Sequence, residues 1–158
     1  EAYTIIMTIY DYFEGKRMPD LSVLGTDIST RILQKAIDAV YTEDRVNMMT
    51  LQQKRKYLLK SKDRLKPTVR FLPFVRDKAT FKRLNLTDLK YLGIPNDHDI
   101  VFCRNVLIYF DRQMQEKVIN RLCSHLKTGG YFFLGHSESI NGLNVPLKQL
   151  KPTIYQKI

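Results

Sequence analysis

The stretch DIVFCRNVLIYFD, residues 99–111, opens as a strand and then changes character. Residues 99–105 form a near-continuous apolar run, the pattern of a strand buried on both faces of a parallel sheet. It then delivers Arg104, Asn105 and Tyr109 before any turn signal. Two readings are open. In one, Arg104 and Asn105 cap the strand, Tyr109 fills the core and Asp111 starts a helix. In the other, these polar side chains stand at the carboxyl end of a strand, where open α/β folds place ligand chemistry.

Downstream, RQMQEKVINRLCSHL is an amphipathic helix opened by Asp111 and closed at KTGG. YFFLGHSES is a second buried strand running into a loop, and PTIYQKI can add a final strand. Upstream, EAYTIIMTIYDYF (1–13) lacks Gly and Pro and is apolar over most of its length, which predicts a largely buried helix. LSVLGTDIS predicts a short strand ending near Gly25, with Asp27 just beyond it. Ser29 or Asp27 can cap the helix STRILQKAIDAVY, whose Ile32, Leu33, Ala36, Ile37 and Val40 recur at helical spacing. LQQKRKYLLKSKDRL reads as a helix with Leu51, Tyr57, Leu58 and Leu65 as its apolar positions. Past Pro67, TVRFLPFVRDKATFKRLNL shifts to β-branched and aromatic residues in partial alternation, predicting short antiparallel strands. The succession of strands and helices predicts an α/β fold, with Asp27, Arg104, Asn105 and His136 at the carboxyl edge of its strands.

At 158 residues and 44% hydrophobic, the chain can bury one sizeable core, and a second full domain is not expected. No apolar run approaches the roughly 20 residues of a membrane helix, and no leader pattern opens the chain, so a soluble cytoplasmic protein is expected. Cys103 and Cys123 fall in a predicted strand and a predicted helix without metal-site spacing, which predicts buried thiols. His98, His125 and His136 form no metal signature either, and no metal is expected. The net charge of +10 is concentrated: residues 54–90 hold 13 of the 26 basic residues against Asp63, Asp77 and Asp88. Such a block is a solvated basic face, or a docking surface for nucleic acid or an acidic protein.

Asp27 stands where dinucleotide folds use an acid to accept hydrogen bonds from vicinal ribose hydroxyls, and helix capping is its competing role. GHSES does not make a hydrolase elbow, because Ser139 occupies the position that needs Gly. No phosphate loop with Gly-Lys-Ser/Thr is present. Nor is there the Asn/Asp-Pro-Pro-Tyr element with which amino-group DNA methyltransferases hold a flipped base.

FCRNVLIYF, an amphipathic helix and then LKTGGYFFLGHSES, in that order and spacing, resemble the S-adenosylmethionine-dependent chemotaxis receptor methyltransferases, the CheR family. LGTDIS resembles the family's second cofactor motif and FKRLNL its short Phe-to-Asn-Leu segment, so the resemblance covers essentially the whole chain. It implies a Rossmann-like methyltransferase fold with a mostly parallel sheet and a small antiparallel β insertion, at about 67–84, that in some members grips a receptor tail. The chain departs from the family at its start, opening at EAYTIIM without the first strand and glycine loop. Residues 1–158 are therefore expected to be a cofactor-binding domain partial at its N-terminus, with neighbouring strand edges left unpaired.

The resemblance implies S-adenosyl-L-methionine as cofactor. Glu1 would reach it from the helix opening, Asp27 would hold the ribose hydroxyls, and Asn85 with Leu86 would border the adenine. Arg104 and Asn105 would lie beside the methionine moiety, and Arg104 and Tyr109 would assist transfer. The implied acceptors are glutamate carboxylates on acidic chemoreceptor helices, which the basic block would attract. Two other classes stay open: a CheR-like module that binds cofactor or receptor without transfer, and an RNA methyltransferase drawn to nucleic acid by the basic block.

Overall fold

A computed structural model describes residues 1–63 and 65–158. Where the sequence predicts one domain, the contacts divide the chain into two compact units, Glu1–Asn85 and Leu86–Ile158.

The first unit opens with α1 (Ala2–Tyr12). Its helical repeat buries Tyr3, Ile6 and Met7 while Tyr12 is exposed, so the helix is amphipathic rather than largely buried. Strand β1 (Val23–Asp27) runs two residues past Gly25, because Gly25 sits mid-strand opposite Phe81. A Cβ on Gly25 would lie 2.7 Å from the Phe81 ring, so the glycine lets the ring pack against the strand. Helix α2 (Thr30–Asp38) follows, started by Ser29, whose Oγ accepts from the Ile32 N–H, and buries Leu33.

Strand β2 (Val40–Thr42), helix α3 (Leu51–Tyr57) and strand β3 (Leu58–Lys60) come next. A Thr50–Gln53 capping box starts α3, but the helix predicted through residue 65 stops at Tyr57. Leu58 turns extended and pairs with Phe71 of β4 (Thr68–Phe71), so sheet pairing overrides local helix preference. Of the expected apolar positions only Tyr57 is buried; Leu51 and Leu65 are exposed, and position 64 lies outside the described residues.

Strand β4 is central in the antiparallel sheet β2-β4-β3. The predicted run of antiparallel strands is then interrupted by α4 (Pro73–Arg76), and β5 (Ala79–Arg83) pairs in parallel with β1, from Val23↔Ala79 to Asp27↔Arg83. The antiparallel element thus takes only β4 from residues 67–84. Tyr3, Ile6, Met7, Ala39, Tyr57, Phe71 and Val75 form this unit's core.

The second unit contains β6 (His98–Cys103), α5 (Arg112–Ser124), β7 (Leu126–Leu134), β8 (Leu147–Lys151) and β9 (Ile154–Lys157), with sheet order β6-β7-β9-β8. Asp111 starts α5 by accepting the Met114 N–H at 2.8 Å. The helix ends at Ser124, and KTGG belongs to β7 rather than to a helix stop.

Val118, Ile119 and Cys123 of α5 pack with Phe132, Leu134 and Tyr155 of the sheet in one core. Val118, Ile119, Phe132 and Leu134 each contribute roughly 1.5–3 kcal/mol of burial. Strand β6 is buried on one face only: Cys103 is buried while Ile100 and Phe102 are partly exposed, beside their β7 partners Tyr131 and Phe133. Strand β7 likewise alternates Phe132 and Leu134 inward with Tyr131 outward.

Among the described residues, two of the six strand pairings are parallel, β1–β5 and β6–β7, so the sheets are mixed rather than mostly parallel. In the second unit the parallel pair is joined through helix α5, whereas β8 and β9 are joined by a short turn that permits only antiparallel pairing. Strands β1 and β6 each pair on one side only among the described residues. No described helix is long and apolar enough to cross a membrane.

Candidate active site

The carboxyl end of β6 carries the densest polar geometry. The strand ends at Cys103, Arg104 leaves it exposed, and Asn105 adopts a left-handed backbone with φ 58°. Asn tolerates that region better than other residues with a Cβ, which accounts for its presence at the turn. A single 3-10 turn, Leu107–Tyr109, follows, burying Leu107 and leaving Tyr109 78% exposed. Tyr109 therefore does not fill the core. The Gln115 side-chain amide holds this turn from α5, donating to the carbonyls of Leu107 and Phe110 at 3.0 Å each.

Beneath the turn lies Glu138, the one buried charged side chain among the described residues. Its Oε1 accepts the N–H groups of Val106 (2.9 Å) and Leu107 (2.8 Å), and its Oε2 those of Asn105 (3.0 Å) and Gly135 (2.8 Å). Four donors occupy the four acceptor positions of a carboxylate. Gly135 makes room for it: a Cβ there would lie 2.7 Å from Glu138 Oε2. Arg112 braces the next segment, donating to the carbonyls of Ser139 and Asn141. Leu107, Ile108, Arg112, Gln115, Ser137, Glu138 and Ser139 line a cleft of about 210 Å³. The thiol of Cys103, at the strand end, is pushed up to about 12, chiefly by burial and secondarily by the Glu138 charge. Cys123 is pushed up to about 12 by burial, so both cysteines are buried, free thiols.

In the first unit, Asp27 is the last residue of β1 rather than a residue beyond it. Its Oδ1 accepts the Ser29 N–H at 2.8 Å, so Asp27 shapes the turn while Ser29 caps α2. The Leu84 N–H donates to the Asp27 carbonyl at 3.0 Å, so Asn85 emerges at the same carboxyl end of the β1–β5 pair. Glu1 is the exposed N-cap residue of α1 and makes no side-chain capping bond there.

In the second unit, Arg104 and Asn105 are adjacent at the β6 end, and Tyr109 closes the 3-10 turn after them. His136 is exposed just past β7, the parallel neighbour of β6, and so shares that edge. Leu86 is partly buried against the core, and its carbonyl accepts from Tyr91 Oη at 2.8 Å. Sequence reasoning missed Glu138 and Gly135. The available signal was GHSES itself, an acid three residues beyond the Gly that follows a strand, but three of its four partners lie more than 30 residues upstream. Among the described residues no group of three or more His, Cys, Asp or Glu side chains is placed to hold a metal.

Comparison with known proteins gives a consistent result. The chain is 36% identical over 158 residues to a chemotaxis protein methyltransferase of Borreliella burgdorferi, covering 99% of this chain and 54% of that protein. The chemotaxis protein methyltransferase of Vibrio parahaemolyticus is 34% identical over 170 residues (100% and 58%), and that of Escherichia coli 32% over 155 residues (98% and 54%). The chain spans about half the length of these curated relatives. Residues 1–156 match the family model described as "CheR methyltransferase, SAM binding domain", and the chain, with S-adenosylmethionine as its cofactor, belongs to that family.

Proposed function

We propose that this chain is the catalytic part of a cytoplasmic protein-glutamate O-methyltransferase that forms glutamate methyl esters on chemoreceptors, and that its strands belong to a Rossmann-like fold. The observation that carries this reading is the family match across residues 1–156. The relatives in Borreliella burgdorferi and Escherichia coli, both chemotaxis protein methyltransferases, support it.

The residues fit the cofactor. Asp27 presents a half-buried carboxylate at the end of a parallel strand, an acceptor-only group suited to the vicinal hydroxyls of a ribose. Asn85, at the same end, would border the adenine with Leu86, its neighbour in sequence, and Glu1 would reach the cofactor from the start of α1. Arg104 and Asn105 would lie beside the methionine moiety. S-adenosylmethionine, when bound, supplies an electrophilic methyl group on a positively charged sulfur.

A glutamate carboxylate is already ionised at neutral pH, with a pKa of about 4.3, so no residue of this chain has to act as a base. The task of Arg104 and Tyr109 is to orient the acceptor oxygen in line with the methyl carbon. Because the cofactor would bring a positive sulfur to a negative acceptor, a water-poor site would favour transfer. An exposed Arg104 suits this role, because too tight an Arg–carboxylate pair would stabilise the reactants instead. The basic block at 54–90 attracts glutamate-rich helices at long range, an effect weakened by salt.

The test is transfer of labelled methyl from S-adenosylmethionine to receptor by the full-length protein. Labelled methanol should be released on base treatment, and an Arg104→Ala variant should incorporate no such label. Full activity in that variant would remove the role given to Arg104, and label appearing in RNA instead would redirect the assignment.

A further inference from the structure

We infer that Glu138 is a positioning residue of the transfer site: its buried carboxylate holds the turn at 105–107 in the conformation that sets out Arg104 and Tyr109. This rests on the proposed methyl transfer and extends it to a residue whose hydrogen-bond partners are all backbone amides.

Three observations carry it. First, all four donors to Glu138 are backbone amides, three of them consecutive, from Asn105, Val106 and Leu107. Consecutive amides converging on one point form a nest that selects an anion, and here the protein's own carboxylate fills it. Second, the turn is unfavourable without that anion, because three successive N–H groups point to one side and would lack an acceptor. Third, the contact is close-fitting: Gly135 contributes the fourth amide, and a Cβ on it would stand 2.7 Å from Oε2 and 3.0 Å from Asn105 Oδ1.

The contacts also separate fastening from shaping. A carboxylate meeting mobile side-chain donors fastens two elements, and either partner can rotate away. One meeting three successive amides fixes the φ and ψ angles between them, and with those the departure of Arg104 before the turn and of Tyr109 after it. A Gln at 138 keeps the volume but turns one oxygen into a donor facing two N–H groups. An Asp keeps the charge and is one methylene short of the amides.

The experiment uses the full-length protein with Glu138→Gln and Glu138→Asp. It reads hydrogen exchange at the amides of Asn105, Val106, Leu107 and Gly135, together with kcat and KM for receptor methylation. The expected result is lost protection at those amides with the amides of β7 and α5 still protected. The expected kinetic change is a fall in kcat of roughly 10–100-fold, larger than the change in receptor KM, as misplaced reacting groups produce. Glu138→Asp should lie between the wild type and Glu138→Gln, and it serves alone should Glu138→Gln fail to fold.

Retained protection at 105–107, or turnover within about 2-fold of wild type once protection is lost, would overturn the inference. So would a loss of protection spread evenly over residues 86–158, the mark of a purely structural role. If the wild-type protein transfers no methyl group, the proposed function fails, and exchange at the four amides then decides separately whether Glu138 holds the turn.

Discussion

In the first unit the carboxylate of Asp11 gathers side-chain donors, the Tyr57 hydroxyl, Lys56 Nζ at 2.9 Å and Gln53 Nε2 at 3.3 Å. In the second, Glu138 gathers backbone donors only. Asp11 is about one-third exposed and ties α1 to α3, whereas Glu138 is buried and joins two loops at the carboxyl ends of parallel strands. Water can replace the side-chain donors, and the helices they join also share a packed core. Backbone amides cannot leave without changing the path of the chain. Asp11 is thus a fastener, and Glu138 determines a shape.

Substitutions should separate the two in order of size. Glu138→Ala should cost about 3 kcal/mol or more, since four amides lose their acceptor at about 1–3 kcal/mol each and water entering from the cleft recovers part of it. Denaturant unfolding of the full-length protein measures this. Gly135→Ala should destabilise by about 1–3 kcal/mol through overpacking and weaken activity in parallel, as the new methyl displaces the same carboxylate.

Asp11→Asn should cost about 1 kcal/mol and leave methyl transfer intact, a discounted figure because the pair is partly solvated. Its pH dependence has a definite sign. The Tyr57 hydroxyl, then Lys56 and Gln53, hold the Asp11 carboxyl below its ordinary value of 3.8, against the effect of burial. A folded-state pKa below the unfolded one stabilises the fold above pH ~4 and loses that contribution as pH falls through the folded value. The stability gap between wild type and Asp11→Asn should therefore be widest near neutrality and close on acidification. A gap that stayed constant to low pH would deny Asp11 this role. The smallest effect is expected of Asp27→Ala, about 0.5–1 kcal/mol for one local turn bond, with cofactor affinity rather than stability as the sensitive readout.

The same contrast governs what could be read from the sequence. Features specified by neighbours along the chain were legible: Asp111 starts α5, and Ser29, one of two capping candidates read beside Asp27, caps α2. The β6–α5–β7 succession was legible too, because hydrophobic period and capping residues agree there. Features set by distant partners were not. Leu58 left its helix to pair with Phe71, and β5 chose β1 over an antiparallel neighbour. Glu138 looked like one polar residue in a loop until the amides at 105–107 were brought to it. At the candidate site, the side chains proposed to orient the acceptor stand out as odd polar residues after an apolar run. The residue that shapes their turn does not, because its partners are peptide groups and leave no trace in side-chain identity.

The central claim, that the β6 end organises methyl transfer to glutamate, is tested most directly by mass spectrometry of an acidic chemoreceptor helix incubated with the full-length protein and S-adenosylmethionine. The expected result is a mass increase of one methylene per modified glutamate, reversed by mild alkali and absent with Arg104→Ala. No increase with wild-type protein, or an increase that survives alkali, would contradict it.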